Sequence, residues 1–100
     1  MTKTPCEVDS CADILKVLAD ETRLSVVRQL MAGPRHVGEI NDGLQLEQSL
    51  LSHHLKVLRE GGIVEAQRDG KAVLYRLTPR VAARRRGDCI DLGCCQLTFR

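Results

Sequence analysis

The sequence predicts a mainly α-helical domain closed by one β-hairpin, and three observations predict it. Residues 48–60 place Leu51, Leu55 and Leu58 at i, i+4 and i+7, an apolar stripe at helical spacing. Gly61-Gly62 then stops the helix, and two strand-like runs, 63–68 and 71–77, flank Asp69-Gly70, a hairpin turn signal. Tyr75 and Phe99 are the only aromatics in a chain that is 43% hydrophobic. A core built from Leu, Val, Ile and Ala suits packed helices better than a β-sandwich.

The elements follow in order. Ser10 is a candidate N-cap for a first helix over 11–19, with Asp13 in an imperfect capping box. Asp20 is expected to cap a second helix over 21–32, with Leu24, Val27 and Met31 inward and Gly33-Pro34 closing it. Val37, Ile40 and Leu44 mark a short third helix over 36–43, and a brief connection at Gln45-Leu46 leads into the helix over 48–60. Two helices joined by so few residues read as a helix-turn-helix, and the hairpin behind them as a wing. Thr78-Pro79 starts one more helix, which Gly87 ends. Its Arg84-Arg85-Arg86 end is favoured by the helix dipole. Residues 88–100 show no clear period. The organisation expected is a tail over 1–10, a winged helix-turn-helix over 11–80, and a short helix with a cysteine-containing tail over 81–100. So small a domain buries a modest fraction of its surface, and a homodimer is expected.

Charge points to a polyanionic partner. Residues 1–21 hold two Lys against five acids, a net −3, whereas residues 48–86 hold nine Lys/Arg against three acids, a net +6. The positive field therefore lies over the fourth helix and the hairpin, where a DNA backbone would run. Opposite the leucine stripe, Gln48, Ser49, Ser52 and His53 are candidates for reading base edges. Lys56, Arg68 and Lys71 are candidates for phosphate or minor-groove contact. His53 and His54 point about 100° apart on a helix and make a poor joint metal site, and His54 beside the leucine stripe reads as a packing residue. No apolar run approaches a membrane span and no signal-peptide core opens the chain, so the expected location is the cytoplasm. No glycine elbow, phosphate loop or carboxylate pair supports an enzyme. An interaction module whose winged helix binds protein is the other class left open.

In order and spacing, these segments resemble the ArsR/SmtB family of metal- and metalloid-sensing repressors. The resemblance rests on Leu18-Ala19-Asp20-Glu21-Thr22-Arg23-Leu24, on Ser49 and Ser52-His53-His54-Leu55 through Leu58 with Gly61-Gly62-Ile63-Val64, and on Asp69-Gly70-Lys71 through Tyr75-Arg76-Leu77. It spans roughly residues 11–80. It implies a homodimer, with the dimer surface on the first and last helices, that represses by sitting on a palindromic DNA operator and leaves when an inducer binds. Two features depart from the family pattern. The stretch Val37–Gly43, where arsenite-sensing members carry Cys-x-Cys, has no cysteine. The last helix is short and arginine-rich, without the Asp/His and His/Glu ligands of zinc-sensing members.

The five cysteines instead sit at the chain ends: Cys6, Cys11, Cys89, Cys94 and Cys95. In a reducing compartment an odd number of cysteines argues for thiols and thiolate ligands. Polarisable thiolate sulfur suits soft ions. Cys89, Cys94 and Cys95 on a Gly93-containing segment are the expected ligands for As(III) or Sb(III) as inducer. Two other uses of the thiols stay open. Cys6 and Cys11 could join the C-terminal cysteines in a thiolate site for Zn(II), Cd(II) or Pb(II). The same thiols could form a redox switch through disulfide or persulfide chemistry.

Overall fold

The computed structural model describes residues 8–99, with side chains from residue 11 onward. Helix α1 (Val8–Leu18) precedes α2 (Glu21–Met31), a two-residue strand β1 (Arg35–His36), α3 (Val37–Leu44) and α4 (Gln48–Glu60). The wing is β2 (Val64–Asp69) and β3 (Ala72–Leu77). A single helical turn, α5 (Pro79–Ala82), leads into β4 (Arg85–Arg86), β5 (Cys89–Asp91) and β6 (Gln96–Thr98).

Helix boundaries follow local chemistry. Asp20 caps α2 by accepting from the Arg23 N–H at 3.0 Å, and that bond holds its carboxyl below the usual carboxylate range. Helix α1 begins at Val8, so Ser10 lies inside the helix rather than capping it. The end of α4 is a Schellman motif: Ile63 N–H donates to Leu58 O and Gly62 N–H to Arg59 O, with Gly62 at φ +76°. Leu58 and Ile63 are both buried, which supplies the apolar contact that accompanies this cap.

The core runs across all the helices and the wing. Val26, Val27 and Leu30 of α2 pack with Ile40 of α3, Leu51, Leu55 and Leu58 of α4, and Val64, Tyr75 and Leu77 of the wing. Strand β3 is central in its sheet, pairing antiparallel with β2 on one side and with β1 on the other. In the wing turn Asp69 pairs with Ala72, which leaves Gly70 and Lys71 as the loop. Gly70 takes φ +64°, the conformation that favours glycine at the first loop position.

The C-terminal region differs from the sequence expectation. The last helix stops at Ala82 rather than reaching Gly87, and residues 85–98 form a second antiparallel sheet in the order β4-β5-β6. Ile90 and Leu92 are 1% and 8% exposed and join the main core, with Leu97 and Phe99 packed against it. What the extended segment gains over a longer helix is the burial of Ile90 and Leu92 in the main core. The alternation of Ile90 with Leu92 and of Leu97 with Phe99 was the available signal, but each run is too short to declare a period.

Candidate nucleic-acid interface and thiol cluster

Two polar fixtures bear on the orientation of α4, and a third ties the wing to α3. Asn41 of α3 donates from Nδ2 to Leu46 O at 3.0 Å and accepts the Leu46 N–H on Oδ1 at 2.8 Å. That pair of bonds defines the bend between α3 and α4 and accommodates Gln45 at φ +53°. The second fixture is Arg23. Its Nε donates to Val17 O at 2.5 Å and its Nη1 lies 3.1 Å from His54 Nδ1. A guanidinium only donates, so this contact uses the lone pair of His54 Nδ1, and Asp20 Oδ1 lies 3.9 Å from the same nitrogen. Arg23 thus joins the end of α1, the start of α2 and the inner face of α4. His54 is buried at 8% exposed, a packing residue in contact with Arg23 rather than half of a histidine pair.

The third fixture links the wing to α3. His36 Nε2 lies 2.8 Å from Asp69 Oδ2 at the wing tip, and its Nδ1 lies 3.0 Å from Glu39 Oε1. The Asp69 bond first, then the Glu39 bond, hold the His36 pKa above its ordinary 6.5, and Glu39 is correspondingly lowered. Farther along the wing, Arg76 Nε donates to Glu65 Oε2 across the strands at 2.7 Å and Nη1 to Gln67 Oε1 at 2.8 Å. Sequence reading singled out neither Asn41, whose partner Leu46 lies in the α3–α4 connection, nor His36, whose partner Asp69 comes from the wing. Arg23 entered only as part of a motif.

The side chains expected to meet DNA all lie on the surface. Gln48, Ser49, Ser52, His53 and Lys56 are exposed along the outer side of α4, and Arg68 and Lys71 are exposed on the wing. Among the described residues, no carboxylate pairs with Lys56, Arg68 or Lys71. Ser49 Oγ donates to Glu47 Oε1 at 2.6 Å, so this acidic residue, which the sequence reading passed over, shares the leading edge of α4.

The cysteines fall into two places. Cys11 on α1 is bonded to Cys94, with Cα atoms 6.1 Å apart across 83 residues of sequence. Cys95 is exposed, its sulfur 4.0 Å from that of Cys94. Both lie in the non-helical turn that joins β5 to β6. Cys89, at the far end of that hairpin where it pairs with Thr98, lies 3.8 Å from Gln96 Oε1. Of the expected trio Cys89, Cys94 and Cys95, Cys94 is bonded to Cys11 in this arrangement and the other two are free thiols. With Cys11 and Cys94 joined as a disulfide, no three His, Cys, Asp or Glu among the described residues are placed to hold a metal ion. Cys6 lies outside the described residues.

A helix-turn-helix followed by a two-stranded wing, with a polar outer face on the second helix, defines the winged helix-turn-helix class. The family model described as "Bacterial regulatory protein, arsR family" matches residues 20–66. A Biofilm growth-associated repressor of Xylella fastidiosa (strain 9a5c) is 38% identical over 98 residues, which cover 96% of this chain and 86% of that protein. The HTH-type transcriptional repressor SmtB of Mycobacterium tuberculosis (strain CDC 1551 / Oshkosh) is 41% identical over 70 residues, 70% of this chain. The chain spans only 52% of that repressor's length. Among solved structures, the homodimeric winged helix-turn-helix DNA-binding domain Mb0332 of Mycobacterium bovis superposes with a TM-score of 0.69 at 34% identity, covering 77% of this chain and 71% of that one. The chain belongs to the ArsR family of bacterial regulatory proteins, and that family consists of regulators, not enzymes. Among the described residues, no helix is long and apolar enough to cross a membrane.

Proposed function

We propose that this chain is a transcriptional repressor that holds operator DNA as a homodimer and releases it when a soft metal(loid) binds cysteine thiolates. The observation that carries the DNA reading is the outer side of α4. Five exposed hydrogen-bonding or cationic side chains line it, while its leucines hold the helix to the core. In this reading Gln48, Ser49, Ser52 and His53 meet base edges in the major groove, and Lys56, Arg68 and Lys71 meet the phosphates. Dimerisation draws support from the homodimeric Mb0332 domain and from Leu15 of α1, which is 48% exposed. Two recognition helices would then meet half-sites about 34 Å apart.

As(III) or Sb(III) is the inducer that best suits the cysteines, since each takes three thiolates in a trigonal pyramid. Cd(II), Pb(II) and Zn(II) are the alternative ions. The Cys11–Cys94 bond supports a second reading, in which thiol oxidation itself is the signal.

One series of measurements tests both halves. A palindromic duplex is selected from a random library with reduced, metal-free protein, and binding is followed by fluorescence anisotropy. Ser52→Ala and His53→Ala should weaken the selected duplex far more than a scrambled one. Lys71→Ala should weaken both alike and flatten the salt dependence. Failure to select any duplex would end the repressor reading. Arsenite, antimonite, Cd(II), Zn(II) and peroxide are then added separately. Release by a metal(loid) alone supports the inducer assignment, and release by peroxide alone supports the second reading.

A further inference from the structure

The position of Cys11 carries a consequence for the sensor. A three-coordinate soft ion needs three sulfurs that are mutual neighbours. Cys94 and Cys95 satisfy that for each other, with sulfurs 4.0 Å apart. Cys11 reaches Cys94 from α1, so the Cys94 sulfur adjoins both of the others, and reduction of the Cys11–Cys94 bond would leave three thiols around this turn. Cys89 is one strand away: two residues of extended chain, about 6.6 Å, separate it from Asp91 before the turn even begins.

We propose that the thiolate site is a composite of Cys11, Cys94 and Cys95, joining α1 to the C-terminal sheet, and that the Cys11–Cys94 disulfide is its closed form. This rests on the reading of the chain as a thiol-controlled repressor and names the ligands and the regulation of that control. In the reduced chain, As(OH)3 exchanges its three hydroxyls for the three thiols and releases three waters, with no change in oxidation state. A hydroperoxide closes the site in two steps. One thiol of the Cys11/Cys94 pair attacks the O–O bond to give a sulfenic acid and an alcohol, or water from hydrogen peroxide. The other thiol then displaces water and forms the disulfide, so two sulfur electrons have reduced the peroxide. Oxidation removes two of three ligands, and the protein becomes blind to the metalloid until it is reduced. Either event ties α1 to the C-terminal sheet, and α1 is the helix whose exposed Leu15 supports dimerisation in the reading above.

The test is equilibrium dialysis of the full chain against arsenite, with bound arsenic counted by mass spectrometry. Four proteins are compared after phosphine reduction: wild type, Cys11→Ser, Cys89→Ser and Cys95→Ser, each checked for helicity by circular dichroism. Wild type treated with peroxide and desalted is the fifth sample, and it is re-reduced as the sixth. Reduced wild type and Cys89→Ser should each bind one arsenic with similar affinity. Cys11→Ser and Cys95→Ser should weaken binding by about tenfold or more. The oxidised sample should bind none and recover on reduction. Undiminished binding by Cys11→Ser, loss in Cys89→Ser, or binding by the oxidised protein would each overturn the composite site. A reduced wild type that holds selected DNA yet binds no arsenite would instead refute the soft-ion reading on which the site depends. Cys11→Ala provides a second variant should Cys11→Ser misfold.

Discussion

Replacing Arg23 by alanine tests whether the hub between α1, α2 and α4 is what orients the proposed reading helix. The truncation removes the donor to Val17 O at 2.5 Å, the donor to His54 Nδ1 at 3.1 Å and a long contact to Lys16 O at 3.5 Å. The Lys16 contact is exposed and adds little. Water can replace part of the Val17 bond at the end of α1. His54 is buried, and without Arg23 its Nδ1 keeps only the distant Asp20 Oδ1, 3.9 Å away. A buried acceptor without a partner costs about 1–3 kcal/mol, and a charge-assisted bond contributes a similar amount. The expected loss is therefore about 3 kcal/mol, or a fall in Tm of roughly 12–24 °C for a domain of this size. Urea unfolding at fixed protein concentration measures it, the concentration being held because dimerisation would shift the midpoint. The decisive comparison is a double-mutant cycle with His54→Leu, which removes the acceptor. In that background Arg23→Ala should cost about 1–2 kcal/mol less. A loss below about 1 kcal/mol, or an equal loss in both backgrounds, would refute the argument that an unsatisfied His54 drives the effect.

Three further expectations can be checked with the same protein. Gly61→Ala would place a Cβ 2.9 Å from Val17 Cγ2 and 3.2 Å from Cγ1, so it should destabilise by about 1–2 kcal/mol and be partly relieved by Val17→Ala; strictly additive urea midpoints would contradict this. Asn41→Ala should cost about 1–2 kcal/mol and loosen the α3–α4 bend, read as faster amide exchange at Leu46, whose N–H bonds Asn41 Oδ1. The His36 clasp should depend on pH. Its folded pKa lies above 6.5, raised by Asp69 and then Glu39, with Arg35 the nearby cation acting on Glu39. Its contribution is therefore complete below about 6.5 and is lost as pH rises through the higher folded value. The stability difference between wild type and His36→Gln should shrink across that window, and a pH-independent difference would exclude an ionic clasp.

Much of the architecture was legible in the chain itself because it is written in local patterns. The leucine spacing of α4, the Asp20 cap, the Gly61-Gly62 stop and the glycine-centred wing turn are each determined by neighbours within a few residues. So was the choice of outward-facing polar residues on α4, since burying Leu51, Leu55 and Leu58 fixes the opposite side. Three matters needed the tertiary structure. The C-terminal sheet forms because Ile90 and Leu92 find room in the core left by a last helix that ends at Ala82, a fit no short alternation can declare. The roles of His36 and His54 depend on Asp69 and Arg23, partners brought in by other elements. Cys11 meets Cys94 only because α1 and the β5–β6 turn converge, 83 residues apart in sequence. Local periodicity determines which face of an element is apolar, but which distant side chain comes to lie against it is decided only when the elements pack.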